Sequence, residues 1–310
     1  MNIPNVLHPL SPDARAIIQL FNGTLVLAVV IFVLVAGLIV FALIRYRAGR
    51  PGEARLDHGN PKLETVWTVI PVLIVVVLFF FTVRTMVKVN APTDPPRKPD
   101  IIITGHQWWW EVRYPQNGAV TANEIHIPVG KQLLVELRSA DVIHSFWVPQ
   151  LARKMDMVPG HPNHIWLQSD SAGTYLGACS EFCGAQHAWM RLRVIADPPA
   201  EFESWVNRQA QPAAQPTTLT QAEGSAVFTE NTCLNCHTLR GLPGTRRVGP
   251  DLTHVASRQT LGAGVLESTP ETLARWLRDP QAVKPGNHMP NLHLTGQQIQ
   301  QLVAYLENLK

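Results

Sequence analysis

Two long hydrophobic runs without a charged residue dominate the N-terminal part of the chain. They extend over Thr24–Ile44 and Thr65–Val83 and consist mainly of Val, Leu, Ile and Phe. About 20 predominantly apolar residues are needed to cross a bilayer as a helix, so each run predicts a transmembrane helix. Two such runs in one chain argue against buried helices of a soluble domain. Neither run is typical of a cleaved signal peptide, because no basic segment leads the first and the second follows closely.

From Asp100 onward the hydrophobic pattern shortens to the period of β-strands. Arginines alternate with aliphatic residues in Met190–Ala196, and Lys131–Ser139 mixes Leu and Val with charges. Proline, glycine and Asn-Gly turn signals interrupt the runs at short intervals. About one hundred residues of short strands separated by turns predict a β-sandwich.

The pattern becomes helical towards the C-terminus. Glu201–Ala210 predicts a helix that closes the sandwich domain, and Glu271–Leu277 and Thr295–Leu309 show the clearest helical periodicity beyond it. Between them, residues 209–220 (QAQPAAQPTTLT) hold few hydrophobes and predict a flexible linker. The predicted organisation is an N-terminal tail (1–23), a transmembrane hairpin (24–88) with its loop at 45–64, a proline-rich spacer (89–99), a β-sandwich domain (100–208), the linker (209–220) and a helical domain (221–310).

Composition and charge narrow the class of protein. Hydrophobic residues make up 46% of the 310 residues and charged residues 16%, which is low for a soluble chain. The net charge of +3 gives no reason to expect nucleic-acid binding. The four cysteines lie in two tight clusters, which is not the pattern of a disulfide-stapled module.

The loop charges predict the orientation in the membrane. Positive loops stay in the cytoplasm, so the connecting loop is predicted to be cytoplasmic and both termini periplasmic, in a bacterial inner membrane. Basic residues after the second helix oppose this, but a long C-terminal domain translocates largely regardless of its charge. The N-terminal tail carries Arg15, whereas the loop carries Arg45, Arg47, Arg50, Arg55 and Lys62.

One short segment concentrates residues that bind copper. Residues 179–190 read CSEFCGAQHAWM and combine thiolates, an imidazole and a thioether, which are the soft ligands that copper prefers. Two thiolates, Cys179 and Cys183, would allow two sulfurs to bridge two coppers, and His144 could supply the remaining imidazole. The alternative is a disulfide between these cysteines, but it leaves His187 and Met190 unexplained. Zinc is disfavoured, because it seldom uses a thioether.

The other cysteine cluster has the pattern of covalent haem attachment. Residues 233–237 read CLNCH, in which Cys233 and Cys236 would bond to the haem and His237 would be its proximal ligand. Met289, within the sequence PGNHMP, is the candidate for the distal ligand, and His–Met ligation suits electron transfer. Competing candidates for the distal position are His254 and His288. The five-residue motif by itself could also be a redox pair.

These motifs together resemble a known family. The segment from His144 to Met190 resembles subunit II of cytochrome c oxidase, with its binuclear copper A centre. Gly105–Trp110 (GHQWWW) is similar to that family's aromatic stretch below the copper, and Leu63–Pro71 (LETVWTVIP) to the start of its second transmembrane helix. With Gly249–Leu252 (GPDL), which resembles the loop that braces the proximal histidine of cytochromes c, the chain resembles the variant of this subunit fused to cytochrome c. The resemblance implies a two-helix transmembrane hairpin, a cupredoxin-like β-sandwich and an all-α class I cytochrome c domain.

The resemblance also implies residue roles. Glu181 would offer its backbone carbonyl to copper and its carboxylate to a Mg²⁺ or Mn²⁺ at the interface with subunit I. Trp108 matches the aromatic through which electrons enter, and Glu64 the carboxylate at the mouth of a proton-uptake channel. A tryptophan that only packs and a solvated glutamate at the membrane surface are the alternatives. The implied side-chain copper ligands are His144, Cys179, Cys183, His187 and Met190.

The implied function is an electron relay in a respiratory oxidase. An external donor, such as a cytochrome c or another periplasmic redox protein, would reduce the haem. Electrons would then pass the Trp108 region to the copper pair and on to subunit I, where O₂ becomes water; subunit III is a further expected partner. Alternatives are a copper A-containing nitric oxide reductase and a free-standing membrane redox carrier. A quinol oxidase subunit would lack the copper ligands, and nitrous oxide reductase would need a larger second copper domain.

Overall fold

The structure is a computed structural model that describes residues 5–47, 59–95, 97–242 and 247–310. The chain divides into two compact units, Arg15–Asn90 on the one hand and Met1–Ala14 with Ala91–Lys310 on the other. Arg50 and Arg55, on which the predicted orientation partly rests, and Pro96 of the predicted spacer lie outside the described residues.

The smaller unit is built from two long helices, α1 (Pro12–Arg45) and α2 (Pro61–Val89). Each helix begins with proline, which fits the first helical turn because its missing N–H needs no partner there. The side chain of Asn60 caps α2 by accepting the backbone N–H groups of Lys62 and Leu63. Both predicted transmembrane runs lie inside these helices, and their most apolar stretches are not buried by protein. Apolar helices of this length without protein cover are expected where lipid surrounds them.

Residues 101–197 form the predicted β-sandwich, in two sheets of five strands. The strands are β1 (Ile101–His106), β2 (Trp109–Tyr114), β3 (Ala119–Ala122), β4 (Glu124–Pro128), β5 (Leu133–Ser139), β6 (His144–Trp147), β7 (Met155–Met157), β8 (Asn163–Leu167), β9 (Gly173–Cys179) and β10 (Arg191–Asp197). One sheet has the order β3-β2-β1-β5-β8 and the other β4-β10-β9-β6-β7. The β1–β5 and β4–β10 pairs are parallel, and the remaining pairs are antiparallel.

The core of the sandwich lies between the two sheets. Ile103 of β1 is in register with Leu137 of β5, and both side chains are fully buried together with Trp110, Phe146 and Val194. Burying a large apolar side chain stabilises a fold by roughly 1.5–3 kcal/mol. The strands predicted at 131–139 and 190–196 are confirmed as β5 and β10. The predicted helix that follows is α3 (Pro199–Gln209).

The C-terminal domain is helical, as predicted. Its elements are α4 (Leu219–Glu230), a short ribbon of β11 (Thr260–Leu261) and β12 (Leu266–Glu267), α5 (Pro270–Arg278), α6 (Pro280–Val283) and α7 (Gly296–Leu306). Helices α4 and α7 touch at Gly224, where a Cβ would lie 2.0 Å from the backbone oxygen of Gln301. Only glycine permits this approach. Beside it, the rings of Phe228 and Tyr305 meet edge to face at 6.0 Å.

The segment predicted as a linker lies along the C-terminal domain. The N–H of Ala213 donates to the carbonyl of Arg240 at 3.0 Å, and the side-chain amide of Asn308 donates to the carbonyl of Gln215 at 3.1 Å. The guanidinium of Arg240 donates to the carbonyl of Ala210. Backbone carbonyls and an N–H of this segment are therefore satisfied by the domain that follows it.

Candidate metal centre and cofactor cavity

The predicted copper ligands meet at one end of the sandwich. Cys179 ends β9 and Met190 directly precedes β10, and the N–H of Cys179 donates to the carbonyl of Met190 at 3.0 Å, which closes the loop between them. His144 begins β6, which pairs with β9. A 3-10 turn at His187–Trp189 carries His187 back towards the cysteines.

The five side-chain donors surround a small volume. The sulfurs of Cys179 and Cys183 are 3.8 Å apart. His144 Nδ1 lies 3.9 Å from the Cys179 sulfur, while His187 Nδ1 and Met190 Sδ lie 3.6 and 3.8 Å from the Cys183 sulfur. Donors bound to one tetrahedral metal at roughly 2.0–2.3 Å are about 3.3–3.8 Å apart. The spacing and chemistry of these donors therefore fit a copper site that His144, Cys179, Cys183, His187 and Met190 would hold.

Two further observations agree with a metal site at this position. Both cysteines are free, and their separation is far beyond the ~2.0 Å of a disulfide, so the disulfide alternative is not adopted. The backbone oxygen of Glu181 lies 3.2 Å from the Cys179 sulfur. It therefore faces the donor set, where the resemblance expects a carbonyl ligand.

The two thiols share their protons. Their mutual hydrogen bond lowers the pKa of Cys179 and raises that of Cys183, so the pair loses its first proton more easily than its second. Copper needs both thiolates. A bound cation would replace the second proton and remove the repulsion between the two negative charges.

Asp141 orients the His144 ring. Its Oδ1 is hydrogen-bonded to His144 Nε2 at 2.8 Å, which leaves Nδ1 facing the sulfurs. Burial lowers the pKa of His144, but the hydrogen bonds to Asp141 and Cys179 outweigh it and raise the pKa overall. The other oxygen of Asp141 accepts the N–H of Gln107 at 2.7 Å. A carboxylate behind a ligating imidazole fixes its tautomer and direction.

Trp108 lies between residues 179–190, which form the predicted copper loop, and the C-terminal domain. Its indole N–H donates to the carbonyl of Cys183 at 2.9 Å, and its ring lies 4.9 Å from that of His288, the residue before Met289. Of its neighbours, Trp110 is fully buried in the core, and Trp109 donates to a backbone carbonyl of the C-terminal domain. Of the three consecutive tryptophans, Trp108 is hydrogen-bonded to a predicted copper ligand.

A cavity of about 380 Å³ occupies the C-terminal domain beside this tryptophan. Cofactor cavities in proteins commonly measure about 300–1,000 Å³ and are mainly apolar. Gln107, Trp108, Trp109 and Asn123 of the sandwich contribute to its wall. The predicted haem-binding residues Cys233, Cys236, His237 and Met289 all line it.

His237 is held in the orientation of a proximal ligand. Its Nδ1 is hydrogen-bonded to the carbonyl of Pro250 at 2.8 Å, so Nε2 is the nitrogen available to a haem iron. A Cβ on Gly249 would lie 2.5 Å from His237 Cε1, so the loop fits the ring closely. Burial lowers the pKa of His237, which favours the neutral imidazole that binds metal.

The contacts of His254, His288 and Met289 distinguish these three candidates for the distal haem ligand. His254 is hydrogen-bonded through both ring nitrogens to the carbonyls of Lys310 and Gln211, so it has no nitrogen left for a ligand. Met289 and His288 both line the cavity. The ring of His288 is in contact with Trp108, and Met289 stays the predicted distal ligand.

Glu64 and the Glu181 carboxylate are the two other predicted site residues. Glu64 is in the first turn of α2 and is exposed. A Glu181 carboxylate oxygen accepts the N–H of Phe182 at 3.1 Å. Within the described ranges, the group of three or more His, Cys, Asp or Glu donors close enough for one metal is His144 with Cys179 and Cys183.

Two residues that orient the copper loop escaped the sequence analysis. Gln107 donates its side-chain amide to the Cys183 carbonyl at 2.8 Å, beside Trp108. Asp141 precedes His144 by three residues, and Gln107 directly precedes Trp108. Both are therefore visible as polar neighbours of predicted functional residues, but neither spacing is specific enough to predict an orienting contact.

Three protein-family models match the chain. The transmembrane domain of cytochrome C oxidase subunit II matches residues 6–85, and its periplasmic domain matches residues 119–196. A cytochrome c model matches residues 221–310.

Individual relatives cover most of the chain. A cytochrome c oxidase subunit 2 of Alkalihalophilus pseudofirmus is 37% identical over 317 residues, which span 98% of this chain and 90% of that protein. The subunit 2 of Bacillus subtilis is 31% identical over 293 residues, or 87% and 82% of the two chains. Among solved structures, the periplasmic domain of cytochrome oxidase subunit II of Bradyrhizobium japonicum has a TM-score of 0.34 and 35% identity, covering 36% of this chain and 93% of that one.

Proposed function

The chain belongs to the cytochrome c oxidase subunit II family, and on this premise we propose that it admits electrons to a respiratory haem–copper terminal oxidase. An external donor, such as a cytochrome c, delivers electrons to the C-terminal domain, and the β-sandwich passes them to subunit I, where O₂ is reduced. The chain is a component of an oxidoreductase complex and itself makes no bond to O₂. The relatives named above are oxidase subunits, so the nitric oxide reductase alternative gains no support.

The observation that carries the proposal is that one side chain joins the two sites. Trp108 donates to the carbonyl of Cys183 and contacts His288, the neighbour of Met289. One ring contact and one hydrogen bond thus link the residue beside a proposed haem ligand to the backbone of a proposed copper ligand. The family implies copper A and the cytochrome c domain implies haem c; when bound, these groups supply the one-electron redox chemistry.

The residues of the sandwich keep the metal-binding loop in place. His144 is fully buried and lies on a strand, and Asp141 fixes the direction of its ring. Gln107 and Trp108 both donate to the carbonyl of Cys183. Ligands held by such supporting contacts rearrange little between oxidation states, which is what rapid electron transfer requires.

In a similar way, residues of the C-terminal domain would hold a haem in place. Cys233 and Cys236 would attach a haem covalently, and His237 and Met289 would bind its iron. The carbonyl of Pro250 holds the His237 ring by its Nδ1. The apolar lining of the cavity limits the access of water, and His–Met ligation raises the reduction potential.

The remaining assignments concern partners and the membrane. We propose that the hairpin binds subunit I, with subunit III as a further partner, and that both termini and the redox domains lie on the periplasmic side. Glu64 lies at the mouth of a proton-uptake channel, and the Glu181 carboxylate reaches a Mg²⁺ or Mn²⁺ shared with subunit I. In the assembled oxidase, Glu64→Gln should slow O₂ turnover while cofactor content stays unchanged; undiminished turnover would remove this role from Glu64.

The central experiment is a metal and haem count on the full chain in detergent. We expect two coppers and one covalent haem per chain. Cys183→Ser should lose copper but keep the haem, Cys236→Ser should weaken haem attachment but keep copper, and Ser180→Ala in the same loop should keep both. One copper or none in the wild type, with Cys179 oxidised to Cys183, would overturn the proposal.

The identity of the large subunit that co-purifies with the chain tests the oxidase assignment separately. We expect the O₂-reducing subunit of an oxidase. A nitric oxide-reducing subunit in its place, or a chain that purifies without any large membrane partner at full cofactor content, would contradict the assignment.

A further inference from the structure

A carboxylate of the sandwich is satisfied by the C-terminal domain. Glu124 begins β4 and is 2% exposed. Its Oε2 accepts the N–H of Gln259 at 2.9 Å, and its Oε1 accepts the N–H and the hydroxyl of Thr260 at 2.8 and 2.7 Å. A buried carboxylate is costly unless it accepts hydrogen bonds. All three of these bonds come from the other domain.

An ammonium group of the C-terminal domain is satisfied in part by the sandwich. Lys284 follows α6 and is 3% exposed. Its Nζ donates to the carbonyl of Trp108 at 3.1 Å and to the carbonyl of Gly262 at 3.2 Å. Glu124 and Lys284 are thus buried ionisable side chains that are hydrogen-bonded to the other domain. They lie about 160 residues apart in sequence, a separation at which no local pattern relates the two.

Other contacts join the two domains as well, among them an ion pair of Arg247 with Glu111 at 3.8 Å and a hydrogen bond from Arg193 to the side chain of Gln259 at 3.1 Å. The N–H of Arg191 donates to the carbonyl of Ala263 at 3.2 Å, and the side-chain amide of Gln186 donates to the carbonyl of Pro285. Hydrogen bonds to charged groups contribute more than neutral ones. Leaving a buried charged group unpaired is more costly still. Glu124 and Lys284 are almost fully buried, whereas the Arg247 side chain is 55% exposed, so we expect their contacts to favour this arrangement of the domains most strongly.

The arrangement has two consequences for the sites. It holds His288 against Trp108, and it makes Gln107, Trp108 and Asn123 part of the wall of the haem-sized cavity. The cavity is therefore completed by the sandwich. Trp108 itself is half-buried in this arrangement.

We propose that Glu124 and Lys284 are positioning residues that lock the C-terminal domain onto the sandwich, with His288 against Trp108 and the sandwich closing the haem cavity. The role of this docking in electron transfer rests on the proposed function. The docking itself does not, because it depends only on the contacts between the two domains. The two can therefore fail independently.

The test is amide hydrogen exchange, followed by mass spectrometry, on the full chain in detergent with haem and copper bound. The Arg191 amide reports on domain separation, because it donates across the interface to the carbonyl of Ala263. Glu124→Gln replaces one carboxylate oxygen by an NH₂ group, which cannot accept the N–H of Gln259. Lys284→Met removes the ammonium that donates to the carbonyls of Trp108 and Gly262. Thr260→Val removes a donor to Glu124 from the opposite side.

The matched controls are buried or charged residues that face elsewhere. Glu136 is also a buried glutamate of the sandwich, but its partners are Arg138 and His164 of its own sheet. Lys131 is an exposed lysine of the same domain. Glu136→Gln and Lys131→Met should leave exchange at Arg191 unchanged.

We expect exchange at Arg191 to accelerate about tenfold or more in each single variant and further in Glu124→Gln/Lys284→Met, as the loss of a charge-assisted hydrogen bond predicts. Amides in the core of each domain, such as those of Val194 and Leu302, should keep their protection. Unchanged exchange at Arg191 in the double variant would overturn the lock. So would equal acceleration at Val194, because Glu124 would then stabilise only its own domain.

Metal and haem counts on the same samples separate this result from the proposed function. A wild type that lacks copper but shows the expected exchange changes would leave the lock standing and overturn the electron relay. If the cofactor content is full and the substitutions leave exchange at Arg191 unaltered, the proposed lock is overturned and the proposed function is not.

Discussion

Replacing Gly249 by alanine should dislodge the predicted proximal histidine. A Cβ at this position would lie 2.5 Å from Cε1, 2.8 Å from Nδ1 and 3.0 Å from Nε2 of His237. Ordinary contacts between such atoms are about 3.5–4.0 Å, so the ring would have to retreat by about 1 Å. It is held by the 2.8 Å hydrogen bond from Nδ1 to the carbonyl of Pro250. A retreat of that size would exceed hydrogen-bonding distance.

The cost can be estimated from these two effects. Overpacking of a closely fitted site costs about 1–3 kcal/mol, and the lost hydrogen bond costs about 0.5–1.5 kcal/mol. The free energy of unfolding of the C-terminal domain should therefore fall by about 2–4 kcal/mol. In a domain of roughly 90 residues, each kcal/mol lowers Tm by about 4–8 °C, which gives an expected fall of about 10–30 °C.

The assay is thermal unfolding of the full chain, followed by the haem absorbance, together with the yield of covalently attached haem. Gly296→Ala is the matched control, because a Cβ there meets nothing within 4 Å at the start of α7. It should leave the Tm unchanged or raise it slightly, since alanine favours a helix over glycine by up to about 1 kcal/mol. A Gly249→Ala chain that attaches haem fully and melts with the wild type would refute the reasoning.

Other contacts in the structure lead to further testable predictions. Gly224→Ala should lower the same Tm by about 5–20 °C, because its Cβ would lie 2.0 Å from the Gln301 oxygen and force α4 and α7 apart. Asp141→Asn should weaken copper binding by about 10–100-fold in a chelator titration, because His144 loses its charged partner. Electron transfer between the two domains, measured after photoreduction, should depend only weakly on salt, because acidic and basic residues nearly balance in both; a collapse in rate at physiological ionic strength would contradict this.

Features that depend on nearby residues were predictable from the sequence. Cys179, Cys183, His187 and Met190 lie in a single loop between two strands, so their spacing alone limits where their side chains can meet. The same holds for the haem-attachment motif at 233–237. The hydrophobic periods of the hairpin, the sandwich and the C-terminal helices are also local, and the fold class they predict is confirmed.

Contacts between distant segments were not predictable in the same way. Neither Glu124 nor Lys284 belongs to a sequence motif. Their burial depends on how two separately folded domains meet, and no periodicity within either domain encodes that. The exclusion of His254 as a distal ligand is similar, because its partners are carbonyls of the linker and of the C-terminal residue.

Because the two domains are joined in one chain, surface charges and buried charges contribute differently to the way the domains dock. A tether raises the concentration of the C-terminal domain near the sandwich in every orientation alike, so it favours encounter without selecting an orientation. Surface charges could select one, but salt screens them over about 10 Å. Glu124 and Lys284 act inside the interface, where screening is weak. The chain can therefore keep nearly balanced surfaces and still hold one arrangement, in which Trp108 lies between the two sites.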